Sequence, residues 1–182
     1  MIDQALINDF FKNNFLKEVN EVKHRFYDPD DCTGINLLKK INYGEKIIDI
    51  GCGFNLFKSE YPYVVGIDPV TDEADFKVSL QDFVSDTKFD VAFCLGSLQF
   101  GNLNDVKQQI AKVVNLLTPT GRIYWRTKAE LDFQKNSYMA CAITVEDHYT
   151  LAPEFNFKIV EAKVYQMPGT YLSRVYAEWE RC

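Results

Sequence analysis

Two acids and two glycines hold the clearest chemistry in this chain. Asp49, Gly51 and Gly53 fall within Ile47-Ile-Asp-Ile-Gly-Cys-Gly-Phe-Asn55, an apolar run that ends in an acid and then a glycine turn. Glycines at such a turn leave the backbone bare where it must bend sharply and let a ligand approach closely. Seventeen residues after Gly51, a second apolar run, Tyr63-Val-Val-Gly-Ile67, ends in Asp68. A carboxylate at that distance from a glycine turn suits the two hydroxyls of a ribose. A glycine pair alone means little; with the spaced acid it points to a nucleoside-containing cofactor.

These groups need elements to hold them. Short apolar runs predict strands at 46–50, 63–67, about 76–79, 89–94 and 121–126. Runs as continuous as Phe89-Asp-Val-Ala-Phe-Cys-Leu95 suit strands covered on both faces. Leu103, Val106, Ile110, Val113, Val114 and Leu117 form one helical stripe, with Pro119 and Gly121 expected to end it. A further helical region is expected within 129–152, where Thr144-Val-Glu-Asp147 resembles a capping box. Two last strands, about 157–165 and 171–180, are joined only by Gln166-Met-Pro-Gly-Thr170, which requires antiparallel pairing. Ahead of the sheet, Leu6, Phe10, Phe11, Phe15, Val19 and Val22 predict an amphipathic helix over 3–24. A turn-rich loop follows from Tyr27, and Thr33 is placed to cap a short helix through Ile41. The expected fold is α/β and doubly wound: a mostly parallel seven-stranded sheet, helices on both faces, a C-terminal antiparallel hairpin and an N-terminal helical extension. Its ligand crevice should lie beyond the carboxyl ends of the first strands, near residues 51, 68 and 95.

The chain's 182 residues match the usual size of one domain, and 47% hydrophobic residues suit a folded protein. A net charge of -6 argues against bulk nucleic-acid or anionic-membrane binding, which needs an excess of Lys and Arg. Five cysteines, at 32, 52, 94, 141 and 182, fit neither a zinc site nor a disulfide framework and suit a reducing, cytoplasmic setting. No run approaches the roughly 18 apolar residues of a membrane span. No export-signal pattern opens the chain, so a soluble intracellular protein without a metal is expected.

The motifs together resemble the class I S-adenosylmethionine-dependent methyltransferases, over roughly residues 33–182. The glycine motif is Asp49-Ile-Gly-Cys-Gly-Phe-Asn55, the second motif Val65-Gly-Ile-Asp68, the fourth Lys88-Phe-Asp-Val-Ala-Phe-Cys-Leu-Gly-Ser97, and the last Leu116-Leu-Thr-Pro-Thr-Gly-Arg-Ile-Tyr124. Residues 1–32 then stand apart as a family-variable helix and lid-like loop. One departure is Asn55, where such families often carry a third glycine; Asn tolerates a left-handed conformation and caps helices well. Leu56 stands where a dinucleotide fingerprint needs glycine, which disfavours a nicotinamide-dependent oxidoreductase.

The resemblance implies S-adenosyl-L-methionine as donor, with S-adenosyl-L-homocysteine as product. Gly51, Cys52 and Gly53 would lie against its methionine part. Asp49 would orient the turn and reach the amino group through water. Asp68, followed by Pro69, would take the ribose hydroxyls. For adenine, Ser79 and Leu80 compete with Asp82, three residues past Ser79; the sequence leaves that open. Leu95, Gly96 and Ser97 would border the cofactor and the transferring methyl. Cys52 reads as small filler, and no catalytic base is singled out. His24 reads as a solvated helix end and His148 as structural. Substrate candidates are Tyr27 as a lid aromatic, Gln99 after the fourth strand, and Arg126, which with Arg122 and Lys128 would hold an anionic group or else simply reach solvent. The place after the fourth strand holds Leu95-Gly-Ser-Leu98 and not Asn/Asp-Pro-Pro-Tyr, which disfavours methylation of a base amine. A small-molecule acceptor is the first expectation, protein or RNA the second. A different class remains open: a domain that binds the cofactor as a partner subunit and transfers nothing.

Overall fold

The computed structural model describes residues 5, 8–9, 11–15, 19–129, 140–169 and 172–182. Its centre is one sheet of six strands: β1 (Ile47–Ile50), β2 (Val64–Ile67), β3 (Phe89–Leu95), β4 (Leu117–Lys128), β5 (Phe157–Gln166) and β6 (Ser173–Arg181). Their spatial order is β2-β1-β3-β4-β6-β5. The first four run parallel, and β6 joins antiparallel to both β4 and β5 as the C-terminal hairpin.

Successive residues divide between the two faces, as a pleated strand requires. Ile48, Ala92, Cys94, Ile123, Trp125 and Trp179 face one core, covered by α3 (Leu103–Leu116) and α4 (Val145–Glu154). Ile47, Val91, Phe93, Tyr124 and Tyr176 face the other core. That second face is covered by α1 (Val19–Phe26), a 3-10 turn at Ile35–Lys40, and α2 (Leu56–Glu60). Phe57 of α2 packs on Phe93 with ring centroids 4.6 Å apart. Truncating a buried aromatic of this kind costs about 3–5 kcal/mol.

Both long helices begin with reciprocal caps. Asn102 and Asp105 bond each other's backbone N–H at the start of α3, and Thr144 and Asp147 do the same for α4, as the Thr144 signature predicts. The α3 stripe ends at Leu116, and the chain passes directly into β4. Pro119 and Gly121 therefore lie inside β4, before regular pairing with β3 resumes at Arg122.

Four expectations are corrected. Among the described residues the sheet has six strands, because the segment about 76–79 contributes only one bridge, Phe76 to Ile67. The physical reason lies at the outer edge of β2. There the Asp75 carboxylate takes the Gly66 N–H at 2.8 Å, and Lys58 Nζ donates to the Val64 carbonyl at 2.7 Å. Side chains thus satisfy groups that a third strand would otherwise pair. Thr33 does not cap: Gly34 occupies the N-cap of the 3-10 turn, and Thr33 bonds elsewhere. In the extension, Phe11–Phe15 forms a π-type turn, and α1 runs on to Phe26, beyond the expected end. Leu6 and Phe10 lie outside the described residues, as does the expected helical stretch over 130–139. No helix among the described residues is long and apolar enough to cross a membrane.

Candidate functional site

A cavity of about 530 Å³ opens beyond the carboxyl ends of β1 to β4, within the usual range of small-molecule sites. Asp49, Gly51, Cys52, Gly53, Asp68, Pro69, Ser79, Leu80, Leu95, Gly96, Ser97, Gln99 and Arg126 all line it. Asn55, Asp82 and Tyr27 do not.

The glycine turn is built for close approach. Gly51 has φ +70, and a Cβ added there would meet Ser97 Cβ at 2.8 Å, so both conformation and space demand glycine. Asp68 then ties this turn to the end of β2. Its Oδ2 accepts from Gly53 N–H at 3.1 Å, while Oδ1 accepts from Val70 and Thr71 N–H at 2.8 and 3.2 Å. Asn55 adopts the left-handed conformation that its residue type allows, with φ 51. Its side chain makes no cap; Nδ2 donates to the Glu73 carbonyl at 3.0 Å and braces the loop after β2. The Asn55 side chain therefore supports the turn from behind.

Asp49 is the notable charge. It is 4% exposed and lines the cavity, and its carboxylate makes no hydrogen bond among the described residues. Burial pushes its carboxyl up to about 7; Arg126 pulls it down and Asp68 pushes it up further. Burial and the acids Asp49, Asp68 and Asp75 push the Cys52 thiol far above its ordinary range, which leaves it protonated and unreactive. The Ser97 hydroxyl is also buried, with no partner among the described residues. The cavity thus presents an unpartnered acid and an unpartnered hydroxyl near its glycine turn.

On the far wall, Val78, Ser79, Leu80 and Gln81 face the cavity. Asp82 turns back, its Oδ2 accepting from Ser79 Oγ at 2.7 Å. Gln99 lines the cavity but both ends of its amide are engaged: Nε2 donates to the Gly96 carbonyl at 3.1 Å, and Oε1 accepts from Lys128 N–H at 3.0 Å. It braces the turn after β3 against β4. Arg126 donates to Thr33 Oγ1 at 3.1 Å and to the Leu95 carbonyl at 2.8 Å. Arg122, expected beside it, instead pairs with Glu45 at 2.6 Å, away from the cavity. Tyr27 turns outward and donates to Glu60 at 2.8 Å.

The roof comes from the N-terminal segment. Val22, Arg25 and Phe26 of α1 line the cavity, and Phe11 stands edge-on to Phe100 at 5.7 Å. Phe26, not Tyr27, is the inward aromatic of this segment. The spacing of 22, 25 and 26 is a helical face and marks it in the sequence. Asp31 and Thr33 were also missed as cavity residues. Asp31 Oδ1 accepts from the Thr33 N–H and hydroxyl, each at 2.7 Å, a side-chain turn that the Asp-x-Thr spacing signals. Met167 and Arg174, brought by the hairpin, carry no comparable local signal. Among the described residues, no cluster of His, Cys, Asp and Glu is arranged to hold a metal.

No family model and no curated protein matches this chain in sequence. Solved structures match it in fold. Magnesium protoporphyrin IX methyltransferase from Synechocystis PCC 6803, with bound S-adenosylmethionine, gives a TM-score of 0.72 at 16% identity, covering 100% of this chain and 98% of its own. The 1,6-didemethyltoxoflavin-N1-methyltransferase of Burkholderia thailandensis, with bound 1,6-didemethyltoxoflavin and S-adenosylhomocysteine, gives 0.72 at 15% identity over 94% and 87%. A chain of the complex containing the Haloferax volcanii Trm112 methyltransferase activator gives 0.74 at 12% identity over 95% and 96%. At such identities the likeness is one of fold. The chain has the α/β, Rossmann-like fold of the class I S-adenosylmethionine-dependent methyltransferases.

Proposed function

We propose that this protein is a methyltransferase that uses S-adenosyl-L-methionine and acts on a small-molecule acceptor. The observation that carries the reading is the convergence of Asp49, the Gly51–Gly53 turn and Asp68 on one cavity at the carboxyl edge of the parallel strands. The fold neighbours with bound S-adenosylmethionine or S-adenosylhomocysteine support it.

The residues fit that cofactor. Asp49, an unpartnered acid, would complement the positive charge of the donor's amino and sulfonium groups. Asp68 would receive the ribose hydroxyls, and the backbone of Gly51 to Gly53 would lie along the methionine part. Ser79 and Leu80, which line the cavity, would border adenine, whereas Asp82 is spent on Ser79. When bound, S-adenosylmethionine supplies a methyl on a sulfonium, already a good electrophile. The chain's remaining task is to hold the acceptor in line and keep water out, which Phe11, Phe26 and Phe100 favour by roofing the cavity. That roof also supports a small acceptor over a macromolecular one.

Thermal melting with saturating S-adenosylhomocysteine tests the donor assignment, since a ligand of the native state raises the midpoint. No shift in the wild-type protein would sink it. A second reading is a cofactor-binding domain without transfer, favoured by the trimmed scaffold: α2 has only five residues. Labelled product from donor and cell extract eliminates that reading.

A further inference from the structure

Asp49 and Arg126 share one face of the sheet. Ile47 and Tyr124 pack in the core of that face, and each stands two residues before the charged group on its strand. Between the two strands lies β3, where Phe93 pairs with Asp49 and Leu95 with Arg126. Arg126 reaches over β3, donating from one Nη atom to the Leu95 carbonyl at 2.8 Å and from the other to Thr33 Oγ1 at 3.1 Å. The Thr33 hydroxyl is then saturated. It donates its one hydrogen to Asp31 at 2.7 Å and accepts from Arg126 and, at 3.0 Å, from the Tyr165 hydroxyl of β5. Asp31 is itself 1% exposed, so the guanidinium is fixed from the loop that follows the roof helix α1.

Asp49 has no such anchor of its own. Arg126 acts on it through space and favours its ionised form, against burial and the charge of Asp68. The neighbouring titratable groups add no second charge. Cys52 of the glycine turn and Cys94 of β3 stay protonated, and the Tyr165 hydroxyl is pushed up to about 12. Arg25 of α1, Asp31, Lys128 of β4 and Arg174 of β6 line the same cavity, but the influences on Asp49 are burial, Arg126 and Asp68. The charge of the acid is therefore governed by a cation that the loop at Asp31 to Thr33 holds in place.

We propose that Arg126 is a positioning residue for the donor: it prepares the Asp49 carboxylate for the donor's amino group and touches neither donor nor acceptor. This rests on the donor assignment made above. The test follows the Asp49 carboxyl of the full chain by carbon NMR, its signal identified by its loss in Asp49→Asn. Arg126→Gln should raise the midpoint of that titration by about one pH unit, a tenfold change in proton affinity. Arg126→Lys, which restores the charge, should return most of the shift. Thr33→Val, which frees one Nη atom, should give a smaller rise in the same direction. Arg122→Gln, on the same strand but paired with Glu45, should change nothing. S-adenosylhomocysteine should bind Arg126→Gln roughly fivefold more weakly than wild type at about pH 7, and within about twofold at about pH 9, where Asp49 is ionised in both. An unmoved midpoint in Arg126→Gln overturns the proposal; if that variant does not fold, an unmoved midpoint in Thr33→Val overturns it as well. So does an equal loss of affinity at both pH values, which would place Arg126 on the donor itself. Binding of S-adenosylhomocysteine with an unmoved midpoint leaves the donor assignment standing; failure of S-adenosylhomocysteine to bind the wild type overturns both.

Discussion

The carboxylate of Asp68 accepts a hydrogen bond from Gly53 N–H at 3.1 Å, so the acid that ends β2 fastens the glycine turn that ends β1. One side chain therefore shapes the turn as well as facing the cavity. Asp68→Asn keeps an acceptor for Val70 and Thr71 but loses the charge. Hydrogen bonds to charged groups contribute about 1.5–3 kcal/mol, so S-adenosylhomocysteine should bind about 10- to 100-fold more weakly. Isothermal titration checks this; equal affinity in the variant would remove Asp68 from the site.

The buried acid of β1 predicts a pH profile. Asp49 keeps its proton up to about 7 in the folded protein, against 3.8 ordinarily. Between those values the native state binds more protons than the unfolded chain, so this group lowers stability as pH rises through the window. Asp49→Asn should remove that contribution, so that the free protein's stability rises more steeply with pH across the window than in the wild type. A cationic ligand favours the ionised acid, so S-adenosylmethionine affinity should rise about tenfold from about pH 6 to 8. A flat wild-type profile would refute the pairing.

His148 predicts the opposite slope. It is buried between Trp125 and Trp179, with ring centroids 5.4 and 5.7 Å away, and neither of its nitrogens has a partner among the described residues. Burial pushes it down to about 4 from 6.5, against the opposing effect of Asp147. The unfolded chain then binds the extra proton, and stability falls as pH drops from 6.5 towards 4. The loss is on the order of 3 kcal/mol at the acid end. Acid melts of His148→Leu should lack it, exposing the slope from Asp49 that it offsets.

Gly51→Ala meets two separate obstacles: a left-handed backbone and contact with Ser97 Cβ. The conformation alone costs about 1–2 kcal/mol. The single variant should melt lower and bind S-adenosylhomocysteine poorly. Adding Ser97→Gly relieves the contact only, so the double variant should recover part of the midpoint. Full recovery would show that the conformation at residue 51 costs nothing.

The parallel strands, the α3 stripe, the Thr144 cap and the terminal hairpin were legible because each rests on local periodicity or local capping chemistry. The glycine turn and Asp68 were legible for the same reason. What escaped depended on tertiary choices. The third strand was lost because Asp75 and Lys58 satisfy the edge of β2 from the side. Tyr27 and Phe26 are neighbours in sequence, and only the docking of α1 decides which one faces inward. Arg122 and Arg126 sit on one strand, but Glu45 takes Arg122 away. Arg174 reaches the cavity through a hairpin register that no local pattern reveals.

An exposed strand edge is a template on which another chain can add, and so a route to aggregation. Along the outer edge of β2, Val64 N–H meets the Tyr61 carbonyl, Val64 O meets Lys58, Gly66 N–H meets Asp75, and Phe76 takes both Gly66 O and Asp68 N–H. At the opposite margin, β5 is ten residues long but carries Lys158, Glu161 and Lys163 and a register break between Ile159 and Glu161. One margin is stoppered and the other is charged and kinked. Among the described residues, the loss of a strand therefore leaves no open ledge on β2, because the groups a neighbour would have paired are already taken.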